Sequence, residues 1–123
     1  MSLIGWILAL VLALVFAASG GLKLATPKTK LAENPNMAWT ADFSASQIKA
    51  IGAVEIIGAL GVVLPWLFNI AAVLTPLAAL GLAIVMVAAM VTHARRKEQK
   101  ALPINAVLLV LALVVMVIRF AQL

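Results

Sequence analysis

The chain has 123 residues, of which 66% are hydrophobic and 11% charged, with no cysteine and a formal net charge of +5. Soluble domains are about 45–50% apolar and about 25% charged, so this composition excludes a water-soluble globule and defines a single-domain integral membrane protein. The missing thiols exclude disulfides, thiolate metal sites and Cys-x-x-Cys redox chemistry.

In chain order, the first apolar segment runs from Leu3 to about Ala25. It begins without Lys or Arg and exceeds the roughly 7–15 residues of a signal-peptide core. Ala17, Ala18 and Ser19 imitate a cleavage site, but length and flanks favour an uncleaved first helix. Trp6 suits an interfacial aromatic belt. The connection over 26–47 opens with Lys28 and Lys30, tempered by Glu33 and Asp42. Asn34-Pro35-Asn36 marks a turn. Met37, Trp39 and Phe43 predict a segment lying on the membrane surface or folded over the mouth of the bundle. Ser44 with Gln47 reads as a capping box that opens the second helix.

The second span covers about 48–67. Pro65-Trp66 precedes a tight hairpin of Leu67, Phe68 and Asn69, with Trp66 in the second aromatic belt. The third span covers about 69–93, with Pro76 expected to kink it or free a carbonyl. A short basic connection over 94–102 includes Arg95, Arg96, Lys97 and Lys100, and the fourth span covers about 103–123. Each span approaches or exceeds the roughly 20 residues that cross hydrocarbon as a helix. Only helices satisfy their own backbone there, and barrel alternation is missing. The expected fold is therefore all-α: a polytopic four-transmembrane-helix bundle.

Charge sets an expected orientation. Lys23, Lys28, Lys30 and Lys49 flank the first connection, and the third holds four more bases. The opposite side carries only Arg119. The positive-inside rule puts both basic connections in the cytoplasm of a cell membrane and both termini outside. The excess positive charge thus speaks to anionic lipid headgroups and not to nucleic acid.

Glu55 is the most informative residue, being an acid inside an otherwise uncharged apolar run. A carboxylate near the bilayer centre costs roughly 2.5–3.5 kcal/mol on insertion scales, and such residues usually face the bundle interior and have partners. Counting helix rise puts it about 10–11 Å from the cytoplasmic edge. Lys23 and His93 end their helices on that side, so the three can converge. Two readings stand for each. Lys23 either pairs with Glu55 or snorkels to the headgroups. His93 either joins the site or sits at the interface beside the basic turn. Glu55 is either structural, as a buried pair or as a protonated acid donating to a backbone carbonyl, or a functional group. Arg119, some 24 Å from the same edge, is expected near the outer interface and out of reach of Glu55.

Gly20, Gly52, Gly58 and Gly61 suit close helix approach, and Gly58 leaves room beside Glu55 for a helix or a ligand. No HExxH, GxSxG, P-loop or dinucleotide motif occurs. One histidine without thiols makes no metal cage. These gaps argue against an independent enzyme active site.

Phe16-Ala-Ala-Ser-Gly20-Gly-Leu-Lys23-Leu resembles the first-helix signature of the DoxX-like membrane proteins. Gly52-Ala-Val-Glu55-Ile-Ile-Gly58-Ala-Leu-Gly61-Val-Val-Leu-Pro65 resembles their second-helix signature. Pro76, Gly81, His93 and Arg119 match as well. The resemblance implies a four-helix membrane fold and a small accessory role touching quinones or lipids. Some relatives are linked to quinone-coupled sulfur oxidation, another is a membrane partner of superoxide dismutase and a sulfurtransferase, and a distant animal branch resembles a receptor-assembly chaperone. The lack of cysteine speaks against a thiol-redox version. Lys23, Glu55, His93 and Arg119 carry over as candidate functional residues.

The leading expectation is a non-catalytic bundle binding a hydrophobic partner: a membrane-protein subunit, a lipid or a quinone. A quinone-linked redox subunit and a small proton-coupled transporter are the rival classes. The glycine-rich faces also suit a homo-oligomer.

Overall fold

The computed structural model describes residues 3–123, and among them all regular structure is helical. Four segments are long and apolar enough to cross a bilayer: Leu3–Ala25, Ala45–Leu67, Leu74–Arg95 and Gln99–Ala121. In chain order the helices are α1 (Leu3–Ala25), α2 (Lys28–Leu31), α3 (Ala45–Gly61), α4 (Leu64–Leu67), α5 (Leu74–Arg95) and α6 (Leu102–Ala121). Short 3-10 turns cover Pro35–Asp42 and Gln99–Ala121's first residues, Gln99–Ala101. This is the four-span all-α bundle that the hydropathy pattern predicts.

The spans form two tight pairs. α1 packs mainly on α3, and α5 mainly on α6; α3–α5 and α1–α6 contacts close the ring. Leu12, Phe16, Val62, Leu82 and Val115 fill the centre, with alanines between them. Leu14, Ile57, Ile84 and Val107 point outward, as lipid-facing side chains do. Lipid tails are as apolar as these side chains, so close packing drives helix pairing in place of hydrophobic burial.

α1 and α3 approach backbone to backbone at two glycines. A Cβ on Gly20 would stand 2.6 Å from the Gly52 carbonyl oxygen, and one on Gly52 would stand 2.8 Å from the Gly20 carbonyl oxygen. No larger residue fits either position without moving backbone.

Element boundaries depart from the hydropathy pattern for identifiable reasons. The second span starts at Ala45, ahead of the expected Ile48, because the capping box initiates it. Gln47 N–H donates to Ser44 Oγ at 3.1 Å, and Ser44 N–H donates to Gln47 Oε1 at 2.9 Å. That span also breaks after Gly61. Pro65 has no N–H to donate to the Gly61 carbonyl and its ring crowds it, so the chain restarts as α4.

The third span begins at Leu74, later than the expected Asn69. Asn69 and Ala71 take φ of 52° and 48°, a left-handed backbone that cannot continue a right-handed helix. The hairpin is thus a longer turn over 68–73. Pro76 does not kink this helix as expected. It lies in the first turn, where a missing N–H breaks no intrahelical bond. The fourth helix runs from Leu102 to Ala121, close to the expected span.

Gly20→Ala and Gly52→Ala are expected to destabilise the protein by about 1–3 kcal/mol, as overpacking does. Gly21, beside Gly20, has nothing within 4 Å of an added Cβ. Gly21→Ala is expected to be neutral or to stabilise by about 0.5–1 kcal/mol, since alanine is the better helix former. Thermal unfolding in detergent separates the two cases; equal midpoints for all three variants would refute the close-contact account.

Candidate functional site

The glycine contact sets the geometry of the buried charges. Gly20 precedes Lys23 by three residues on α1, and Gly52 precedes Glu55 by three on α3. The same close approach puts Glu55 Cβ 3.2 Å from where a Cβ on Gly20 would stand, and Lys23 Cβ 2.9 Å from where a Cβ on Gly52 would stand. Side chains on a helix tilt toward its N-terminus, so the lysine stem leans back along α1 into the bundle. Its Nζ donates to Glu55 Oε1 at 2.6 Å and to Ser19 Oγ at 2.6 Å. Glu55 is 2% exposed and Lys23 7%. Lys23 therefore pairs with the acid and does not snorkel.

The first connection folds over this pair as a cap. Leu31 and Thr40 anchor it in the interior, and Thr40 Oγ1 donates to the Met37 carbonyl at 2.7 Å. Met37, Trp39 and Phe43 fold over the bundle mouth and line the space beneath it. The Trp39 ring centroid lies 5.7 Å from Lys23 Nζ, 6.3 Å from the His93 ring and 5.6 Å from the Phe43 ring. Trp39 is thus the bridge between His93 and the ion pair.

Charged groups tie the cap to the 96–101 turn. Arg96 donates to Asp42 Oδ2 at 2.7 Å and to Glu98 Oε1 at 3.2 Å, and the same Glu98 oxygen stands 3.1 Å from His93 Nδ1. The Arg96 guanidinium is held above its ordinary pKa, chiefly by the Asp42 hydrogen bond. It stays charged at every working pH. The Arg96–Asp42 pair is exposed, so it orients the cap more than it stabilises it.

Beneath the cap lies a cavity of about 1350 Å³. All four spans line it, with Phe16, Val54, Met86 and Leu108 on its apolar wall and Lys23, Glu55, His93 and Asn105 as polar groups. Pockets of this character, mostly apolar with a few fixed polar side chains, are those that hold small molecules. Among the described residues no cluster of His, Cys, Asp or Glu is arranged to hold a metal ion.

Arg119 lies at the other end of the bundle. It is fully buried there, in the last turn of the fourth span. Its guanidinium carbon lies 5.0 Å from the Trp6 ring centroid and 4.8 Å from that of Trp66, while Nη1 donates to Gln122 Oε1 at 2.9 Å. Both tryptophans, expected in the aromatic belts, serve as faces of this stack. Cation–π contacts of this kind contribute about 0.5–2 kcal/mol each, more when desolvated. The expected distance from Glu55 holds, because the two charges occupy opposite ends.

Sequence reasoning missed Asp42, Glu98 and Asn105 as parts of the site, and the Trp6–Arg119–Trp66 stack. The stack has a legible signal. Trp6 near the start of the first span, Trp66 at the end of the second and Arg119 near the end of the fourth all fall at one membrane face.

Four spanning helices around a capped, charged interior define a small multi-pass membrane protein. The model of the DoxX-like family matches residues 7–115, and the chain belongs to that family. No curated protein and no solved structure matches it.

Lys23→Met leaves a buried carboxylate without its cation and is expected to destabilise by about 3–5 kcal/mol. The double variant Lys23→Met/Glu55→Leu removes both charges and is expected to match or exceed the wild-type stability, as apolar replacements of buried pairs often do. Thermal unfolding of the purified variants tests this. A single variant as stable as wild type means that the pair is not shielded from water.

Proposed function

We propose that this protein is a non-catalytic accessory protein of the cell membrane that holds a hydrophobic molecule, a lipid or a quinone, in the cavity beneath its cap. The observation that carries this reading is the cavity of about 1350 Å³ with the Lys23–Glu55 pair in its wall. Its apolar wall suits a hydrocarbon tail, and the polar groups near the cap suit a head. The two buried charged groups in the wall, Lys23 and Glu55, are paired with each other, which favours orienting a guest over transforming it.

Filling the cavity tests the reading. Ala89 lines it on α5. Ala89→Phe is expected to strip the retained lipid or quinone from gently purified protein, as measured by mass spectrometry of organic extracts. Ile84→Phe, on the exposed face of the same helix, is expected to leave the extract unchanged. Identical extracts from both variants and wild type would sink the reading.

The same reading sets the two basic connections in the cytoplasm and both termini outside. Support comes from the distribution of Lys and Arg, and from the Arg96–Asp42 contact that joins the two connections at one end of the bundle. In a bacterial host, alkaline phosphatase fused after Leu123 is expected to be active and green fluorescent protein at the same site dark. The reverse pattern overturns the orientation.

A further inference from the structure

Asn105 is part of the cavity wall, on the first turn of α6. The residue is 9% exposed, and its amide nitrogen Nδ2 is sealed from solvent without a hydrogen-bond partner. A buried donor left unmade costs more than a made hydrogen bond returns. Its polar neighbours on the wall have company: Lys23 has Glu55 and Ser19, and the half-buried His93 has Glu98.

Local structure does not account for an asparagine here. The N-cap of α6 is Ala101, with no side-chain capping bond, so Asn105 caps nothing. Asparagine is a poor helix former, and an apolar residue would suit this position in a bundle better. Thr75 Oγ1 is also buried without a partner, but Thr75 begins α5 and lies outside the cavity wall. Among the described residues, only Asn105 combines an orphaned amide with an adjoining space.

We propose that Asn105 is a ligand-contacting residue, whose amide donates a hydrogen bond to a carbonyl oxygen on the head of the held molecule. This rests on the cavity reading above and narrows it. The guest is a carbonyl-bearing amphipath, with its tail along the apolar wall and its head between α6 and the Lys23–Glu55 pair. The terminal torsion of an asparagine is broad, so its amide turns toward a guest at little cost. Two sources supply such a carbonyl: the ring of a quinone and the ester of a lipid.

The test uses the full chain in lipid nanodiscs with three probes: decylubiquinone, dioctanoylglycerol and the oxygen-free 1-decylbenzene. Retention per protein is read by native mass spectrometry. Wild type is expected to retain decylubiquinone or dioctanoylglycerol, and the one retained identifies the source. Asn105→Leu is expected to weaken that retention by roughly three- to tenfold, the worth of one hydrogen bond. Retention of 1-decylbenzene should be unchanged or improved. The probe-free variant should melt at the wild-type temperature or above it, because an unsatisfied amide has been removed.

Unchanged retention of the carbonyl probes in the variant overturns the proposal, as does an equal loss of all three probes or a lowered melting temperature. Asn105→Ala gives the same readouts without added volume, should the leucine variant fail to fold. Wild type that retains none of the probes overturns the cavity reading and this proposal together. Wild type that retains them without regard to Asn105 overturns this proposal alone.

Discussion

The contact between the Gly20 and Gly52 backbones is the constraint on which the rest of the bundle depends. It sets the distance between α1 and α3, and that distance lets Lys23 Nζ reach Glu55 Oε1 at 2.6 Å. Moving the helices apart by one methyl group would lengthen a bond between two charges that have little water to turn to. An uncompensated charge in that setting is strongly destabilising, whereas a paired and hydrogen-bonded one is tolerated. Ser19 completes the arrangement by accepting a second bond from the ammonium. Packing and electrostatics are therefore a single requirement at this point.

Above the pair, the cap turns a buried charge into the lining of a cavity. Trp39 touches both the ammonium and the His93 ring, so one aromatic side chain connects the interior to the polar rim. Arg96 and Asp42 hold the cap through solvated groups, and such pairs contribute little to stability. The cap is thus held at its rim by exposed charges and in the interior by the buried Leu31 and Thr40.

Much of this was legible in the sequence, and the reasons are physical. Hydrophobic runs of membrane-spanning length announce helices because hydrocarbon leaves the backbone no other option. The reach between Lys23 and Glu55 follows from helix rise and a long side chain. Ser44 and Gln47 announced a cap, but the span boundary drawn from hydropathy overlooked that the cap itself fixes Ala45 as the first helical residue. Likewise Pro76 signals a kink only in mid-helix, and its depth depended on the positive φ of Asn69 and Ala71, which no hydropathy pattern reveals. The depth of Arg119 is readable from helix rise, but its burial is not. The tryptophans that receive it come from two other spans, and only their shared membrane face hinted at the meeting. Asn105 went unnoticed because an amide near a span end looks ordinary until its neighbours are known.

The two buried cations differ in where along the chain their companions lie. Lys23 needs only the second span, which supplies Glu55. Arg119 rests on Trp6 and Trp66, both of which precede it. Synthesis runs from the N-terminus, so the lysine is made before its acid, and the two tryptophans that face the arginine are both made before it.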